Sequence, residues 1–142
     1  MISDNDLLGY ICEDNDMGRS SVKHVLKLTN DEKLREVLER QLTDYEKAYE
    51  HASGILKEKG EKPPISSPFT KLMAYVGTDM KTFTDDSSSK IAELMIQGNT
   101  MGITSLTKQI HEYDSGNRDI LEMARNQVKM QQEHIESLKK YL

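Results

Sequence analysis

The sequence has no tryptophan, two phenylalanines, three prolines and a single cysteine among its 142 residues. One cysteine, Cys12, excludes an intramolecular disulfide framework and a cysteine-rich zinc site, and a reducing compartment is its simplest home. With no motif beside it to activate a thiolate, Cys12 is expected to pack as a small apolar residue. No run approaches the ~20 apolar residues of a membrane span. The start, Met1-Ile2-Ser3-Asp4-Asn5-Asp6, is acidic where a signal peptide is basic and then apolar. The expectation is a cytoplasmic protein. A cationic excess is also missing: the net charge is -5 with both signs interspersed, which offers no surface to a nucleic-acid backbone or an anionic membrane.

What remains is rich in Leu, Met, Lys, Glu and Gln, with 30% of residues charged, a composition that favours amphipathic helices and leaves little for strands. Residues 1–142 suit one all-α domain. The first helix is expected over about residues 4–28, with Leu7, Ile11, Gly18, Val25 and Leu28 on one stripe that also holds Asp14 and Ser21. A second, about 30–59, starts where Thr29 and Glu32 have capping-box spacing and ends before Gly60. Its inner stripe includes Leu34, Leu38, Gln41, Tyr45, Ala52 and Ile55. Pro63, Pro64 and Pro68 then break the pattern. A short helix is expected over about 68–83, a third long helix over 88–113 and a last one over 118–141.

The turns after the first and third helices are short and force antiparallel pairs, whereas roughly 28 residues separate the second helix from the third. That stretch is long enough to travel the length of the bundle, which predicts one long crossover. A faint repeat agrees with this division. Asn15-Asp16-Met17-Gly18-Arg19-Ser20-Ser21 matches Asn99-Thr100-Met101-Gly102-Ile103-Thr104-Ser105 in Asn, Met, Gly and Ser, and Glu36 and Gln41 align with Glu122 and Gln127 two residues out of step.

Two antiparallel pairs joined by one long crossover resemble the ferritin-like four-helix-bundle superfamily, and the resemblance runs over nearly the whole chain. It implies a di-iron centre built from a Glu on each of two helices and a Glu-x-x-His on each of the others. This sequence departs from that set. The inward positions of the second and fourth helices read Gln41-Leu42-Thr43-Asp44 and Gln127-Val128-Lys129-Met130, without histidine. Gln131-Gln132-Glu133-His134 has the spacing with an amide in place of the carboxylate, helix one offers Asp14, and helix three offers Gly98. The chain reads as a divergent member without the di-iron ligands, and no cofactor is expected. His24, His51, His111 and His134 are expected on the surface. Any atypical metal site would draw on Asp14, Asp44, Tyr45, His51 and His134, with His51 and His134 as an interhelical pair.

Asp14, Gln41, Tyr45, Gln127 and Gln131 all fall mid-helix on inner stripes, so a shared hydrogen-bonded layer is expected, with Tyr45 a candidate donor to Asp14. Such a layer fixes helix register; the functional alternative is an altered cofactor site or a pocket for a small polar ligand. Gly18, Gly98 and Gly102 would let helices one and three approach closely, or serve a dimer interface. The eight methionines fit core packing, with an adaptable binding surface as the alternative. No phosphate loop, Ser-His-Asp order or His-Glu-x-x-His is present, so no catalytic residue is nominated. The first reading is a non-catalytic bundle acting as a homo-oligomer, a dimer foremost, or on a protein partner. The others are a metalloprotein or oxidoreductase with unusual ligands, and a ligand-binding module whose linker and short helix form a flap.

Overall fold

The structure, a computed structural model, describes residues 1–64, 85–114 and 116–142. Four long helices account for most of them: α1 (Asp4–Leu26), α2 (Glu32–Glu58), α3 (Ser88–Glu112) and α4 (Arg118–Leu138), followed by a 3-10 turn, Lys139–Tyr141. The short helix expected over 68–83 lies outside the described residues. Each long helix starts at a polar cap. Ser3 and Asp6 form a reciprocal capping box on α1, Ser87 caps α3 through the Lys90 amide, and Asn117 accepts from the amides of Asp119 and Ile120 on α4.

One expected cap is corrected. Asp31, not Thr29, is the N-cap of α2: its carboxylate accepts from the amides of Lys33 and Leu34, and Thr29 Oγ1 accepts from the Asp31 amide at 3.2 Å. An ionised cap at the positive end of the helix dipole is the stronger of the two choices. Arg35 reaches back to donate to the carbonyls of Leu26 and Thr29, at 2.9 and 3.0 Å, so the orphan end of α1 is satisfied from α2.

The pairs α1–α2 and α3–α4 pack as antiparallel hairpins, and α1 also meets α3 and α4. Past the Lys59 cap of α2 comes Gly60, whose φ of 77° suits a residue without a Cβ. From there the chain runs to Pro64, which lies over Gly9 near the start of α1. It returns at the opposite end of the bundle: Ser88 Oγ donates to Asp31 Oδ2 at 2.9 Å, and Asn30 Nδ2 to Asp86 Oδ2 at 3.2 Å. The two described ends of the connection therefore lie at opposite ends of the bundle, and α3 runs parallel to α2. Two apolar clusters fill the interior. One, around Leu7, Ile11, Ala52 and Ile120, occupies the end where α1 begins; the other, around Val25, Leu34, Leu38 and Ile91, the end where α1 finishes. A fully buried Leu or Ile in either contributes about 1.5–3 kcal/mol.

The candidate functional site: a buried polar layer

Between the two apolar clusters the inner stripes turn polar. Asp14, Asn15, Asn99, Gln127, Gln131 and His134 are all buried there, together with Gln41 and Tyr45. Polar groups out of reach of water must satisfy one another, and most of these do so through a shared set of bonds, with Gln41 Oε1, Gln131 Oε1 and His134 Nδ1 buried without a protein partner. Asn15 and Gln127 form a reciprocal amide pair: Asn15 Nδ2 donates to Gln127 Oε1 at 3.0 Å, and Gln127 Nε2 donates to Asn15 Oδ1 at 2.9 Å. Gln127 Nε2 also donates to Asp14 Oδ2, and Gln131 Nε2 to Asp14 Oδ1, each at 3.1 Å. Both carboxylate oxygens are thus capped by amides, and no basic side chain pairs with Asp14 among the described residues. Burial pushes its carboxyl up to about 6, against the pull of the two glutamine donors.

Tyr45 does not donate to Asp14. Its hydroxyl donates to Asn99 Oδ1 at 2.7 Å, because the ring crosses from α2 toward α3 and passes beside Gly18. Burial raises its phenol, which stays protonated. Gln41 also lies outside the Asp14 set, its Nε2 donating to the His134 carbonyl at 3.3 Å. His134 corrects a further expectation. It is 4% exposed rather than on the surface, with Nε2 3.0 Å from Asp44 Oδ2 and its ring edge-on to Tyr45 at 4.9 Å. Burial lowers its pKa, and the Asp44 carboxylate only partly offsets that, so the neutral ring carries its proton on the Nε2 that faces Asp44. His51 is exposed and does not join it.

The glycines are also corrected in their reason. A Cβ on Gly18 would stand 2.4 Å from the Tyr45 ring, and one on Gly102 would stand 2.5 Å from Asp14 Oδ1 and Gln131 Nε2. They make room for layer side chains rather than for a neighbouring backbone. Gly98 lines a small cavity with Gly18, Ser21, Tyr45, Asn99 and Gln131. The repeat explains the pattern, since Tyr45 and Gln131 are equivalent positions in it, as are Gly18 and Gly102: each hairpin seats its second-helix side chain on its first-helix glycine. Asn15 and Asn99 are equivalent as well, and each donates to the carbonyl four residues back, of Ile11 and Met95. Reading the stripes alone missed these two; the repeat, in which both stand, was the signal.

The layer offers little chemistry. The Cys12 thiol is fully buried and pushed up to about 11, which leaves no thiolate. His134 has one nitrogen on Asp44 and the other enclosed in protein. No group of three His, Cys, Asp or Glu side chains that could hold a metal ion occurs among the described residues, and Asp14, Asp44, Tyr45, His51 and His134 do not converge into one. The cavity beside Gln131 measures about 10 Å³, room for about one water molecule.

The structure therefore belongs to the class of all-helical four-helix-bundle proteins, and none of its described helices is long and apolar enough to cross a membrane. A conserved hypothetical protein from Mycobacterium tuberculosis, known from a crystal structure, has the same fold: the TM-score is 0.75 over 96% of this chain and 88% of that chain, at 12% identity. No protein-family model matches the chain, and no curated protein is similar to it in sequence.

Proposed function

We propose that this protein is a non-catalytic, ferritin-like bundle that acts through its outer surface, by binding another protein or a second copy of itself. The observation that carries this reading is the closure of the inner layer. In a ferritin-like bundle the centre is where metal and substrate meet carboxylates, whereas here the central carboxylate is held on both oxygens by Gln127 and Gln131. The cavity beside Gln131 is of about one water's size. A bundle whose middle is occupied by its own side chains has its exterior left for function. The likeness to the Mycobacterium tuberculosis protein is a likeness of fold.

Elemental analysis of the untagged protein, with its mass in solution, tests the reading. The expected outcome is far less than one metal per chain, and either a multiple of 16.2 kDa or co-purification with a partner. About two iron or manganese atoms per chain, the complement of a di-iron-type centre, would overturn it.

A further inference from the structure

We infer that the cleft between α2 and α4 is the docking site for a cationic amphipathic helix of another protein. The inference rests on the protein-binding reading above and names its surface and its partner's chemistry. The cleft has a volume of about 530 Å³. Its lining is mostly apolar, from Ile11, Ala48, Ile55, Ile120, Met123 and Met130, and includes the amides of Asn126 and Gln127. Met123 and Met130 stand seven residues apart on α4, two helical turns or about 10 Å. That is the spacing at which a docked helix presents anchors at i and i+7, and flexible thioethers adapt to whichever apolar side chains arrive.

The rim decides the partner's charge. Asp119 and Glu122 line the cleft together with His51, and no lysine or arginine does. A second cleft of about 350 Å³ lies farther along the same two helices and adds Asp44 and Glu133 against a single Arg40. On the α4 side the two clefts are lined by three carboxylates, at 119, 122 and 133, with exposed Lys129 on the same stripe outside both linings. Lysine or arginine on the flanks of an incoming helix would meet these carboxylates beside a low-dielectric floor, which strengthens attraction and speeds encounter. Nucleic acid and anionic lipid are repelled by the same groups. A second copy is disfavoured by symmetry: an isologous contact sets the same patch against itself and crowds the α4 carboxylates of both chains together.

The test uses the full-length protein and a synthetic helix of about 18 residues, with leucines on one stripe and lysines on the other faces. An isomer of the same composition with the stripe scrambled is the comparison, and binding is followed by fluorescence anisotropy at about 50 and 200 mM salt. The expected result is saturable binding of the striped peptide, at least about tenfold weaker binding of the isomer, and about tenfold loss for Met123→Glu with Met130→Glu. Glu122→Lys, at an exposed position, should weaken binding and flatten its salt dependence. Equal binding of the two peptides, or unchanged affinity in a folded Glu122→Lys protein, overturns the inference. A free dimer that Met130→Glu dissociates would assign the cleft to a second copy, sinking this inference while leaving the protein-binding reading intact. Metal found by elemental analysis would sink that reading instead.

Discussion

Asp14 carries an unbalanced charge in the middle of the bundle, and the protein's response to pH follows from it. Its folded-state pKa, about 6, lies above the ordinary 3.8, so between those values the folded chain holds the proton more tightly than the unfolded one. The contribution of Asp14 to stability is therefore greatest in acid and falls as pH rises from about 4 to 6. Asp14→Asn should stabilise the protein at pH 7 by about 2–3 kcal/mol, the cost of the buried charge. Gln131 can turn its amide to accept from the new NH₂, since its Oε1 has no protein partner now. Urea unfolding at pH 7 and pH 4 checks this: the gain should shrink toward zero at pH 4, and an equal gain at both pH values would refute the assignment. His134 pulls the other way, losing stability as pH falls through about 6.5, but it is common to both proteins and cancels in the difference. Gln127→Leu removes the amide that serves both Asn15 and Asp14. About 3 kcal/mol or more should be lost, because buried polar groups are left without partners; an unchanged unfolding midpoint would deny the network its role.

Among the helices, glycine separates two physical situations on otherwise similar surfaces. Gly18 in α1 faces the Tyr45 ring at a virtual Cβ distance of 2.4 Å, and that ring is itself 2% exposed, so it has nowhere to move. Gly54 in α2 faces open space. Gly18→Ala should lower stability by roughly 2 kcal/mol or more through overpacking, while Gly54→Ala should raise it by up to about 1 kcal/mol through helix propensity alone. Thermal unfolding of the two variants reads the contrast directly, and a stabilised Gly18→Ala would mean that α1 and α2 are not packed as described. The same elements show what periodicity conveys. The long helices begin and end within two or three residues of their expected bounds, since caps and hydrophobic stripes are local. The final expected stretch to 141 instead finishes in a 3-10 turn after Leu138.

For the molecule as a whole, the distribution of free space is informative. The centre of the bundle has about 10 Å³, whereas the cleft between α2 and α4 has about 530 Å³ bordered by carboxylates. The larger space thus lies between α2 and α4, where Gln127 of the polar layer also lines it. The described ends of the connection lie over Gly9 of α1 and beside Asn30 and Asp31. Its attachment points are thus at α1 and the turn after it.

The all-helical class, the two hairpins, the crossover and the central position of Asp14, Gln127 and Gln131 were legible in the sequence, because each follows from spacing along one helix or from the length of a connection. Partners were not. That Tyr45 donates to Asn99 instead of Asp14, that His134 is drawn inside by Asp44, and that Gly18 and Gly102 serve side chains instead of backbones are facts about the rotation of one helix against another. So is the cleft, whose floor joins α1, α2 and α4. A sequence specifies which face of a helix is apolar, but only packed helices decide which atoms on two such faces come within about 3 Å of each other.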